Sequence, residues 1–243
     1  MKNVNQKPMD VTLRRAKMKM RKRMSRSLAI SAVAGIVALA GSSAAFAASS
    51  YNVTAGSAPA STVVGYTATT TGALPHVTFT DTTSGTVYNC ASASATGTIT
   101  VGTNLSWTGI GTVDGTGWNT CTGPFGLTLT HTGVGSWNLD ATGDTVGGVT
   151  PVSISGVNLH VSDPGGSCDF DYTGSVNGTY TNGPSNGTLT LPGTSSGLTI
   201  KNVSGSLCAF AGISNGHSAS FKATYQVVAD NGAYNPIQII SSP

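Results

Sequence analysis

The sequence predicts an all-β domain, an antiparallel sandwich or barrel of about ten short strands held by two disulfides, carried behind an export leader. Three observations predict it. Apolar residues recur with a two-residue period through most of residues 75–243, turn dipeptides punctuate that pattern, and all four cysteines fall within it. In Cys168–Tyr180, the residues Cys168, Phe170, Tyr172, Val176 and Tyr180 share one side, and Asp169, Asp171, Thr173, Ser175, Asn177 and Thr179 the other. Such alternation is what a strand with one buried face requires.

The first element is the leader, residues 1–47. Its first 26 residues carry ten Lys and Arg against the single Asp10. An uncharged apolar run from Leu28 to Ala40 follows, then Ala45-Phe46-Ala47, a small-x-small site whose cleavage leaves Ala48 first. A run of about 13 residues is too short to cross ~30 Å of hydrocarbon, so the segment reads as a signal peptide and not as a permanent membrane anchor. Arg14-Arg15 lies far upstream of the apolar run, which favours the general secretory route of a bacterium over the twin-arginine route. Met18, Met20 and Met24 offer alternative starts.

Cleavage reverses the charge. Residues 48–243 keep two cations, Lys201 and Lys222, against eight aspartates and no glutamate, a net charge of −6. The basic character of the whole chain belongs to the leader, which removes the case for nucleic acid or an anionic membrane as partner.

Residues 48–74 are rich in Ala, Ser and Thr and read as a flexible lead-in with a possible edge strand. The remainder, 75–243, reads as a single domain. Alternation marks strands at Val77/Phe79, Leu127/Leu129, Trp137/Leu139, Val152/Ile154, Val157/Leu159/Val161, Leu189/Leu191, Leu198/Ile200 and Phe221/Ala223/Tyr225/Val227. Asp114-Gly115, Asp163-Pro164-Gly165-Gly166, Asn182-Gly183-Pro184, Asn186-Gly187 and Asn231-Gly232 are the turn signals between strands. The abundant Thr favours strands through its branched Cβ.

Four cysteines allow three connectivities, of which the simplest is Cys90–Cys121 with Cys168–Cys208. In the chain-entropy picture, loops of that size contribute about 3.5 to 4 kcal/mol each. The absence of a C-x-x-C pair disfavours metal clusters and thioredoxin-type exchange. A faint repeat accompanies the pairing, since Cys121-Thr-Gly-Pro-Phe-Gly and Cys208-Ala-Phe-Ala-Gly follow the second cysteine of each pair.

Reactive constellations are sparse, and no catalytic residue and no cofactor are expected. His76, His131, His160 and His217 match no metal-binding spacing and read as solvated or hydrogen-bonded surface residues. Gly193-Thr194-Ser195-Ser196-Gly197 fits G-x-S-x-G in letters, but a strand pattern follows it where a nucleophile elbow needs a helix. Asp163, Asp169 and Asp171 around Cys168 form a weak calcium candidate. The lack of glutamate argues against paired-carboxylate glycoside hydrolysis. Trp107, Trp118 and Trp137 could face a ligand, though a tryptophan near a disulfide in a sandwich usually fills the core.

The order Tyr88-Asn89-Cys90, Cys121-Thr-Gly-Pro-Phe-Gly-Leu127, Trp137, Ser167-Cys168-Asp-Phe, Ser206-Leu207-Cys208-Ala-Phe-Ala-Gly and Phe221-Lys-Ala-Thr-Tyr225 resembles uncharacterised secreted β-rich proteins of actinobacteria. More distantly it is similar to secreted activators of alkane oxidation. Those keep a Gly-Leu-Pro-Trp stretch after the second cysteine, where this chain has Gly126-Leu127-Thr128, so the resemblance transfers no functional residue. The expectation is a secreted or cell-surface, non-enzymatic β-domain acting by binding or assembly. The alternative is an extracellular carrier of hydrophobic small molecules related to alkanes or lipids. A hydrophobic small molecule and a cell-surface component are the partner classes these readings imply.

Overall fold

The computed structural model describes residues 50–194, 196–229 and 232–242. The leader and the cleavage residues Ala45, Ala47 and Ala48 lie outside the described residues, as does Ser195. In chain order the strands are β1 (Ser50–Ala55), β2 (Val63–Thr70), β3 (Val77–Asp81), β4 (Val87–Thr100), β5 (Gly102–Leu105), β6 (Gly111–Thr122) and β7 (Thr128–Gly133). There follow β8 (Trp137–Ala141), β9 (Val149–Ser162), β10 (Asp169–Thr181), β11 (Gly187–Pro192) and β12 (Leu198–Ser204). The short helix α1 (Ser206–Phe210) precedes β13 (Ser218–Ala229) and β14 (Ile237–Ser242).

Eleven strands close into an antiparallel barrel, which resolves the choice between sandwich and barrel. Five long strands, β4, β6, β9, β10 and β13, run its length, and each remaining position is shared by two short strands, one at either end. At one end the ring runs β13–β2–β4–β6–β8–β9–β10–β11 and back to β13. At the other it runs β13–β3–β4–β6–β7–β9–β10–β12 and back to β13. Every cross-section therefore has eight strands, the number at which side chains alone can fill the interior.

The expected ten short strands become fourteen among the described residues, several of them long. The excess comes from β2, β4, β5, β6 and β14, which lie outside the alternating segments named above, while a bulge in β9 works in the opposite direction. Within β9 the buried set moves from Val152 and Ile154 to Val157, Leu159 and Val161, a change from even to odd positions. Gly156, at φ +70°, absorbs the extra residue, and the register against β10 slips between Gly174 and Val176 at the same level. Read as strict alternation, one strand looks like two.

The stretch expected as a lead-in also differs. β1 is the middle strand of a three-stranded sheet, β14–β1–β5, and not an edge. Its Tyr51, Val53 and Ala55 are fully buried, and β2 forms part of the barrel wall. This small sheet closes one end of the barrel. Ile237 and Ile239 of β14 face the interior beside Tyr66, Ile99, Leu139 and Tyr180. The Tyr180 hydroxyl donates to the Ile237 carbonyl at 3.0 Å, and the Thr150 hydroxyl to that of Ile239 at 2.7 Å.

Both disulfides lie at the opposite end, paired as the simplest connectivity expects. Cys90 on β4 and Cys121 on β6 are direct cross-strand partners, and Cys168, just before β10, is joined to Cys208 in α1. Inside that end an aromatic stack centres on Phe79, with ring centroids 4.7 Å from Phe221, 5.1 Å from Tyr172 and 5.2 Å from His131. Offset stacking at these distances adds to the apolar burial that holds the barrel closed. No helix of the described residues is long and apolar enough to cross a membrane.

Candidate functional site

The interior comes first, because an eight-stranded barrel either fills it or encloses a guest. Here side chains fill it. Three small internal spaces lie among the described residues: one, bounded by Tyr66, Ala95, Thr116, Trp118, Trp137 and Tyr225, has about 40 Å³, and two others have about 20 Å³ each. A dry cavity that admits benzene is on the order of 150 Å³. An alkane or lipid chain would have to bind outside these spaces or displace the side chains around them.

The tryptophans do not form one platform. Trp118 and Trp137 border the same internal space and act as core, while Trp107 is half exposed in the link between β5 and β6. The three aspartates are likewise divided. Asp163 is buried and spends both carboxylate oxygens on its own turn, accepting from the N–H groups of Gly165 and Cys168. Asp169 and Asp171 stand on the outer wall and flank His160, at 3.5 and 2.8 Å, and Asn202 also donates to Asp171. The trio therefore does not converge on a common point.

Three of the four histidines lie at or near the surface, although His76 is half-buried and its Nδ1 has no hydrogen-bond partner. His160 is on the outer face as expected, and His217 is half-buried and bonded through Nδ1 to Asp81 at 2.7 Å. Asp81 is fully buried and also accepts from the Thr83 and Ser84 N–H groups. Burial raises its pKa, but those hydrogen bonds outweigh it and hold the carboxyl below its usual range. His131 is the exception: it is 9% exposed, points into the barrel, and neither ring nitrogen has a hydrogen-bond partner. Periodicity from Leu129 placed it on the inner face, but its residue type masked the signal.

In the G-x-S-x-G stretch, Ser196 sits in a bridge to Val176 and accepts from the Phe221 N–H, and β12 begins at Leu198. The following segment is a strand, as expected, not the helix a nucleophile elbow needs.

What the sequence reading missed is a pair of exposed aromatics at the disulfide end. Phe125 is 79% exposed and Phe210 is 71% exposed, yet their rings pack together with centroids 4.9 Å apart. They come from the two segments of the faint repeat, four residues after Cys121 and two after Cys208: Cys168–Cys208 ties the Phe210 helix to the barrel, and the Phe125 turn leaves β6 just beyond Cys121, which is cross-linked to Cys90 on the neighbouring strand. Phe125 occupies a 3-10 turn at Pro124–Gly126 with φ +59°, a left-handed conformation that disfavours a bulky side chain. Leu207, on the same helix as Phe210, is also exposed. α1 is fixed over the β3–β4 hairpin by the Thr86 hydroxyl, which donates to the Ala211 carbonyl at 2.7 Å. Asp169 lies beside this tip, next in sequence to Cys168.

A second external feature is a cleft of about 380 Å³ under the β2–β3 connection, between Thr71–His76 and Lys222–Thr224. It is larger than these internal spaces, but its lining gathers one lysine, Lys222, and one ring, the His76 imidazole. Comparison with known proteins returns no matching family model, no matching curated protein and no matching solved structure.

Proposed function

We propose that residues 48–243 form an extracellular, non-enzymatic binding domain whose disulfide-tethered tip engages a basic, apolar partner segment. The observation that carries this reading is the stacked Phe125–Phe210 pair, two large rings held in solvent on anchored loops. Rings placed in that way offer apolar area at little further entropic cost, because their loops are already ordered. Aromatic faces also attract cations, and a domain with eight aspartates and two lysines draws positively charged partners toward it. Two disulfides in the described domain accord with export. The filled interior directs the search for a partner to the outer surface.

The test uses the oxidised domain and two labelled peptides of equal apolar content, one alternating Lys and Leu and the other alternating Glu and Leu. The expected result is saturable binding of the basic peptide, weakened by salt and lost in the Phe125→Ser/Phe210→Ser double variant. Equal binding of both peptides, or binding unchanged in the double variant, contradicts the proposal.

A further inference from the structure

His131 presents an anomaly that the binding surface does not explain. Its imidazole stacks on Phe79 and lies 5.5 Å from the ring of Trp118, and both Nδ1 and Nε2 are buried without a partner. Buried polar groups are nearly always satisfied, so one left bare calls for a specific reason. The neighbouring groups supply one. A ring nitrogen of His131 and the Sγ atoms of Cys90 and Cys121 all lie within 4.8 Å of one another. The barrel register brings them together: Cys90 opposes Cys121, Cys121 opposes Leu129, and His131 is the next inward residue on β7. Among the described residues, no other group of His, Cys or acidic side chains converges in this way.

We propose that reduction of Cys90–Cys121 converts this cluster into a buried two-cysteine, one-histidine site for a thiophilic divalent cation of the zinc type. In the oxidised protein the two sulfurs are bonded to each other and the site is closed. A dithiol reductant opens it by giving up two electrons and two protons, becoming a disulfide as the Cys90–Cys121 bond breaks to two thiols. Metal binding then releases both thiol protons to solvent, while the neutral imidazole contributes a lone pair. Two thiolates and a divalent cation sum to zero charge, which suits the apolar walls of Phe79 and Trp118. Zinc bonds of about 2.3 Å to sulfur and about 2.0 Å to nitrogen require donor separations of roughly 3.5 to 3.8 Å, within the observed cluster. Three protein donors leave the fourth position to water or a small ligand.

Co²⁺ serves as the spectroscopic probe and Zn²⁺ as its competitor, applied to the whole domain before and after phosphine reduction. Reduced protein is expected to bind one Co²⁺ with a thiolate-to-metal charge-transfer band that Zn²⁺ removes, whereas oxidised protein shows none. The Cys168→Ala/Cys208→Ala variant should keep the band, and His131→Phe should weaken binding at least tenfold. If reduction unfolds the chain, Zn²⁺ should restore its β-sheet circular dichroism, because only the folded state assembles the site. The proposal is overturned by absence of the band and of refolding, by equal binding in His131→Phe, or by equal binding to the oxidised protein.

Discussion

Acidification of the oxidised domain from pH 7 to pH 4 is expected to remove about 3 kcal/mol of stability through His131 alone. Burial pushes the pKa of this imidazole down from 6.5 to about 4. The unfolded chain takes up the proton near pH 6.5 and the folded barrel only near pH 4, so between those values the unfolded state binds more protons. Stability from this source is complete above about pH 6.5, falls as the pH drops, and levels off below about pH 4. A difference of 2.5 pKa units corresponds to about 3 kcal/mol. The assay is urea unfolding, followed by tryptophan fluorescence and circular dichroism, at half-unit steps of pH. His131→Phe preserves the stack on Phe79, removes two unsatisfied nitrogens, and should be as stable as the parent at pH 7 while losing this part of the acid sensitivity. Parallel pH profiles for parent and variant would refute the reasoning. So would a loss above about 2 kcal/mol in the variant at pH 7, since it would mean the nitrogens have partners.

Replacing Cys90 and Cys121 together by Ala should lower the unfolding free energy by about 3 to 4 kcal/mol, read from denaturant titration, and a change below about 1 kcal/mol would contradict the entropic account. Asp81→Asn weakens the bond to His217 in a buried setting and should cost about 2 kcal/mol by the same titration at pH 7. Trp137→Ala should cost about 3 to 5 kcal/mol, because the ring fills barrel interior. Phe125→Gly should leave stability equal or raise it by up to about 1 kcal/mol, because glycine accepts the left-handed backbone there without strain. A panel of esters, peptides and glycosides should show no turnover, and Ser195→Ala should change nothing in it.

The alternation of Cys168–Tyr180 was enough to read β10, and the signals at Asp163–Gly166 and Asn182–Gly187 bound it, whereas Asp114-Gly115 is no turn: it lies inside β6, where the register against β4 slips. Closure was harder to see, because it depends on which short strands share a position along β13, and pairing partners leave no mark in a single sequence. Gly156 illustrates a second barrier: a bulge resets the two-residue period and splits β9 into two apparent strands. β1 was hidden by its Ala/Ser/Thr surroundings, although Tyr51, Val53 and Ala55 do alternate. At the tip, the repeat Cys121-Thr-Gly-Pro-Phe and Cys208-Ala-Phe held the relevant signal, yet a Phe in sequence reads as core. Only the positive φ at Phe125 and the exposure of Phe210 reveal that both rings face outward. His131 was visible as an inward position on β7, whereas its closeness to Cys90 and Cys121 required the barrel register.

The proposed binding mode places the partner on the outer tip of a filled barrel. Amide chemical-shift mapping of the oxidised domain during titration with the Lys/Leu peptide tests it most directly. Saturable shifts are expected to concentrate at residues 123–127 and 205–212, with the internal positions Tyr66, Ala95 and Trp137 unmoved. Shifts centred on those internal residues, or on the cleft at Thr71–His76, would contradict it.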